Sequence, residues 1–150
     1  GTAKTGSITG FYTVLVDGDD MDEPVSDTVR GILDGHIILS RKLAQAYHFP
    51  AIDVLASISR LSKRVSGSQT QKAVAALRRS MALYAESEDM ITVGAYQKGS
   101  NADLDAAVEL HPAIERFLMQ EEAEKTSIEQ TLTDLGSLAG VDIPEEEMIV

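Results

Sequence analysis

Arg60 is the residue of this 150-residue chain best suited to chemistry. It follows four small or apolar residues, Ala56-Ser57-Ile58-Ser59. Its guanidinium is always charged, planar and able to bridge two phosphate oxygens, which suits stabilisation of a transferring phosphoryl group. The competing reading is an arginine paired with a nearby carboxylate, the commoner fate of the residue type. Phe49 comes second. Pro50 biases it toward an extended conformation, and an aromatic held beside a loop can stack on an adenine face, worth about 1–3 kcal/mol if it behaves like a base on an aromatic ring. A core phenylalanine is the equal alternative. Asp17-Gly18-Asp19-Asp20 offers carboxylates of the kind magnesium takes, but Asp and Gly together are ordinary turn residues. His36, His48 and His111 are not at metal-ligand spacing and have no cysteine partners. They read as a strand, a loop and a helix-start histidine, and no metal site is expected. No Ser-His-Asp or Cys-His arrangement can be argued. Gly94 to Gly99 (GAYQKG) has the glycines of a phosphate loop without its Gly-Lys-Ser/Thr ending or a preceding strand.

The elements that must position Arg60 and Phe49 lie between Ile32 and Arg60. Leu33-Asp34-Gly35 reads as a helix stop, with Gly35 in the left-handed conformation. His36 to Ser40 is short, apolar and branched, as a buried strand is. Arg41 to Tyr47 carries helix formers. Upstream, Ile8 to Val16 (ITGFYTVLV) has apolar side chains on both faces, the pattern of a central strand of a parallel sheet. Pro24 suits a first helical position, and Val25, Val29 and Ile32 share a face of that helix. Strand, helix and strand make a right-handed βαβ unit, too small a sheet to stand alone.

From Leu61 to Gly67 the chain reads as a polar, basic linker. Beyond it the periodicity is helical. Ser68 and Gln71 have capping-box spacing ahead of a stripe of Val74, Leu77, Met81 and Tyr84. Asp89 to Ala95 reads as a further short helix. Ser100 and Asp103 repeat the capping box before Leu104 and Val108. Pro112 is placed at a helix start ahead of Ile114, Phe117 and Leu118. Thr126 and Glu129 cap a last helix with Ile128, Leu132, Leu135 and Leu138. The stripes predict a small helical bundle.

Composition bounds the partners. A net charge of −11 argues against nucleic acid and anionic membrane and favours basic protein surfaces. Without cysteine there is neither a disulfide nor a thiolate metal site, as a reducing cytoplasm allows. No apolar run approaches the length of a membrane span. There is no initiator Met and no signal-peptide pattern, and the opening just ahead of a strand predicts a piece of something longer.

LDGHIILSR, HFPAID and LASISR, in this order and at these separations, resemble the flagellar and type III secretion export ATPases, relatives of the F-type and V-type rotary ATPase subunits. The resemblance runs from GSITGFYTVLVDGDD to GAYQKGSNADLD and covers all but about the last ten residues. It implies an α/β fragment, the end of a RecA-like parallel-sheet ATPase core (residues 1–67), then an all-α helical domain (68–140) and an acidic tail (141–150). It also implies that Arg60 is an arginine finger, reaching in trans to the γ-phosphate held by a neighbouring subunit. Phe49 stands where the family usually has a tyrosine packed on the adenine of its own subunit. The parent would be a cytoplasmic homo-hexamer using ATP and Mg²⁺, peripheral to the inner-membrane export apparatus. Its partners would be a coiled-coil stalk protein, export chaperones and export-gate components. No Walker A sequence occurs in the chain, so this piece alone is expected neither to bind ATP tightly nor to hydrolyse it. Two other readings stand beside this one: a non-catalytic subunit of a proton-translocating ATP synthase, and a non-enzymatic acidic helical adaptor.

Overall fold

A computed structural model describes residues 5–6, 10–16 and 24–148 of the chain, without the side chains of 25–27. The acidic cluster Asp17 to Asp20 therefore lies outside the described residues, as does Ile8. The chain divides into two compact units, residues 1–33 and 34–150.

In the first unit, residues 10–16 form no regular element, which corrects the strand expected there. A β-strand is held by ladder partners, and among the described residues none pairs with this stretch. Phe11, Tyr12, Val14 and Leu15 are exposed, Phe11 at 94%. Helix α1 (Pro24–Ile32) begins at the expected proline, and the Thr28 hydroxyl donates to the Pro24 carbonyl at 2.6 Å.

The second unit opens on an antiparallel pair, β1 (Gly35–Leu39) and β2 (Ile52–Ser59), with helix α2 (Arg41–Gln45) between them. The expected parallel βαβ crossover is thus absent among the described residues. Gly35 is not left-handed. It begins β1, and a Cβ there would lie 2.6 Å from the Ile58 carbonyl oxygen, so the glycine serves close strand approach. Gly35 pairs with Ser59 and His36 with Ile58, but Ile38 pairs with Asp53 and Leu39 with Ile52. Ile37 therefore faces residues 54–57, a wide bulge in β2. Ser40 caps α2, its hydroxyl accepting from the Leu43 N–H at 3.3 Å.

One turn of helix, α3 (Ser62–Val65), interrupts the expected linker. Four helices follow: α4 (Ser68–Thr92), α5 (Ala102–Leu118), α6 (Ile128–Ala139) and the short α7 (Glu145–Met148). The bundle core is Ala73 and Leu77 of α4, Ile114 of α5, Leu135 of α6 and Ile143. Met81, Leu110, Phe117 and Leu132 pack round it. Helix α4 absorbs the separate helix expected from Asp89, because no breaker precedes Gly94, which takes the left-handed conformation that ends it. Pro112 lies inside α5 rather than at its start. It withholds one intrahelical N–H, yet buried Leu104, Ala107 and Ile114 lie on both sides of it, so packing carries the helix through.

Caps fall one residue later than expected, at Asn101 and Ser127, whose side chains accept from backbone N–H groups of the first turn. Helix α4 has no cap from its own neighbourhood, since Gly67 precedes it. The Glu147 carboxylate supplies one instead, accepting from Gln69 N–H at 3.0 Å and from Thr70 N–H and hydroxyl at 2.8 Å each. Residues 141–148 thus pack back on the bundle, with Ile143 buried in its core.

Candidate functional site

Phe49 lies just ahead of β2 and Arg60 directly behind it. The ladder opposes Leu39 to Ile52 and Gly35 to Ser59, four steps of strand rise or on the order of 13 Å along β1, and Phe49 and Arg60 flank β2 on either side.

Phe49 is half exposed, with the Tyr47 ring edge-on to it at 6.3 Å between centroids. Tyr47 itself is exposed and left-handed at φ 59°, unusual for a residue with a Cβ. Two contacts, one from α5 and one from just beyond its end, fix this corner. Buried His48 places Nδ1 3.1 Å from Glu115 Oε2, and the Gln120 N–H donates to the Phe49 carbonyl at 2.8 Å. Burial of an imidazole beside a carboxylate satisfies a polar group that would otherwise be costly. His48 is therefore a clamp on the loop and not a ligand.

Arg60 is exposed at the end of β2, and its backbone N–H donates to the Asp34 carbonyl at 2.7 Å. The bulge before it is stitched internally. Ser57 Oγ accepts from Ile38 N–H at 3.0 Å, and Asp53 Oδ1 accepts from Ala56 N–H at 2.8 Å. The carbonyls the bulge turns outward are taken by Arg78 of α4: Nη1 donates to Val54 O at 2.6 Å and Ser57 O at 3.4 Å, and Nη2 to Leu55 O at 3.0 Å. The apolar stripe of Val74, Leu77, Met81 and Tyr84 passes Arg78 by. Its partners are backbone atoms over twenty residues away, and no side-chain pattern announces them.

GAYQKG becomes the turn between α4 and α5. The Asp105 carboxylate accepts from the Tyr96 hydroxyl and from Gly99 N–H, and Lys98 Nζ lies 2.6 Å from Glu109 Oε1. The lysine is thus committed to a carboxylate. His111, within α5, stacks on Tyr84 of α4 with ring centroids 3.5 Å apart. Among the described residues no three His, Asp or Glu side chains come together as a metal would require.

Two stretches match known families almost end to end. Residues 1–59 match the nucleotide-binding domain of the ATP synthase alpha/beta family, and residues 66–137 the T3SS EscN ATPase C-terminal domain. The chain is 55% identical to the flagellum-specific ATP synthase of Treponema pallidum over 145 residues, 97% of this chain and 32% of that protein. It belongs to the flagellar and type III secretion ATPases, in their C-terminal region. Among other members of these export ATPases, the SPI-2 type 3 secretion system ATPase of Salmonella typhimurium is 52% identical over 124 residues, 83% of this chain and 29% of that one. The assembled ATPase EscN of enteropathogenic E. coli superposes with a TM-score of 0.85 at 39% identity, covering 89% of this chain and 32% of that chain. EscN in complex with its central stalk EscO gives 0.82 at 38% identity, covering 93% and 33%. The chain therefore spans about a third of the length of the export ATPases it matches. Its α/β portion followed by a helical bundle is the arrangement expected from the sequence.

Proposed function

We propose that this chain is the C-terminal portion of a cytoplasmic ring ATPase that energises flagellar or type III protein export. Residues 1–67 complete the nucleotide-binding core, 68–140 form the helical domain, and 141–148 of the acidic tail pack back on it. The parent binds ATP and Mg²⁺ chiefly through a phosphate loop and carboxylates outside this chain. From this chain, Phe49 packs on the adenine of its own subunit and Arg60 reaches the γ-phosphate held by the next. The observation that supports this division most is that β2 keeps the two side chains at opposite ends, both open to approach. One strand thereby serves two nucleotides across a ring interface. Phe49 keeps the ring of the family's tyrosine and drops its hydroxyl, so stacking survives. ATP supplies the transferable phosphoryl group. The Arg60 guanidinium offers planar, permanent charge to the oxygens where negative charge builds, a contribution of about a thousandfold or more in turnover, roughly 4 kcal/mol of barrier. The helical domain meets a coiled-coil stalk, export chaperones and export-gate components, and the chain's acidic balance suits basic partner surfaces.

The test uses the full-length protein. Arg60→Lys is expected to leave nucleotide binding nearly intact and to lower kcat about a thousandfold, because an ammonium lacks the bidentate fork. Phe49→Ala is expected to weaken nucleotide binding more than it slows turnover. Steady-state hydrolysis with a binding titration separates the two. Near-normal hydrolysis in Arg60→Lys removes the finger from the account.

A further inference from the structure

We infer that Arg78 is the positioning residue for Arg60: it fixes the bulged strand from the helical domain, so that the bundle sets where the Arg60 guanidinium points. This rests on the finger reading of Arg60 above. Residues 54–57 leave the ladder with β1, and their own ties are side-chain bonds, Ser57 Oγ on Ile38 N–H and Asp53 Oδ1 on Ala56 N–H. Arg78 adds the tie that comes from the helical domain. Its guanidinium takes the carbonyls of Val54, Leu55 and Ser57, three acceptors within four consecutive residues. A planar fork with several fixed donors suits such a set, and an ammonium would reach only part of it. From Ser57, where Arg78 acts, the backbone re-enters the ladder at Ile58 and Ser59 and ends with the Arg60 N–H on the Asp34 carbonyl, so Arg78 sets the point at which this segment rejoins β1. Arg78 is half-buried, next to core residue Leu77 on α4, so any rotation of α4 in the bundle displaces the fork with it. Among the described residues its charge meets these carbonyls and no carboxylate, so it is not one half of an ion pair.

The experiment compares Arg78→Ala, Arg78→Lys, Arg60→Ala and the double variant Arg60→Ala/Arg78→Ala in the full-length protein. A misplacement of about 1 Å costs on the order of a hundredfold, so Arg78→Ala is expected to lower kcat by about that factor with KM for ATP within about twofold. Arg78→Lys should fall between it and the native protein. The double variant should be no slower than Arg60→Ala alone, because a lost finger cannot be misplaced. A finger works on the neighbour's nucleotide, so Arg78→Ala subunits mixed with subunits defective in the phosphate loop should regain turnover that neither has alone. Additive losses in the double variant, a change confined to KM, or failure of this mixture where an Arg60→Ala mixture recovers, would each overturn the assignment. So would loss of the folded ring in both Arg78→Ala and Arg78→Lys, which would make the contact a support of the fold. Full turnover in Arg60→Ala would instead remove the finger reading, and this proposal with it.

Discussion

Single side chains in this protein are governed by what accepts their protons. Tyr96 donates its hydroxyl to the Asp105 carboxylate, and this bond, with smaller contributions from desolvation and the negative charges of Asp105 and Glu109, pushes the phenol up from 10.0 to about 12. The neutral form is the one bound, so the contact supports the fold below pH 10 and is lost as the pH rises toward 12. An ultraviolet titration of tyrosinate should show one residue ionising about two units late, and Asp105→Asn should return it toward 10. Nothing in the sequence singled out this pair, since the turn that makes them neighbours depends on left-handed Gly94 and Gly99. His48 was legible as a loop histidine, but its partner Glu115 lies 67 residues away and was not. Phe49 and Arg60 were singled out because a resemblance in HFPAID and LASISR pointed at them. Periodicity alone left each with an equal or commoner structural reading.

At the scale of elements, spacing located helices well and their ends less well. Capping boxes at Ser100 and Thr126 were displaced by one residue to Asn101 and Ser127, because adjacent polar residues compete for the same role and backbone geometry decides between them. The start of α4 was located at Ser68, but the capping box expected there does not cap it. Its first turn is held by Glu147, 77 residues on from Thr70, a tertiary contact with no local signature. Hydrogen bonds from Thr70 N–H and then Gln69 N–H hold this carboxyl below its usual 4.5, and the positive end of a helix of 25 residues, about 38 Å long, favours the same charge. A carboxyl lowered in the folded state stabilises above the unfolded value and loses that contribution as the pH falls below 4.5. Glu147→Ala is therefore expected to melt a few degrees below the native chain at pH 7. The gap should narrow as the pH drops through 4.5 toward 3, read by circular dichroism.

For the molecule as a whole, the helical stripes correctly predicted a bundle, while the sheet followed less directly. The apolar run near the N-terminus carries the composition of a buried strand, but strand pairing is a property of neighbours, and among the described residues it has none. The bundle's central residue is Ile114, at 2% exposure the largest of the fully buried side chains. Truncating it leaves a cavity between α4, α5 and α6, so Ile114→Ala should cost about 2–5 kcal/mol in urea unfolding, with the slope unchanged. The chain by itself is expected to show no magnesium-dependent ATP hydrolysis in a phosphate-release assay, since it has no Walker A sequence. Gly67 has an ordinary negative φ, so its bareness is about room: a methyl group there would occupy the volume of the Glu147 carboxylate. Positions 67 and 147 should therefore drift together over evolutionary time. Lineages that have lost the acid are free to place alanine or serine at 67, whereas in those that keep it a side chain at 67 must push the carboxylate aside and loosen its hold on Gln69 and Thr70.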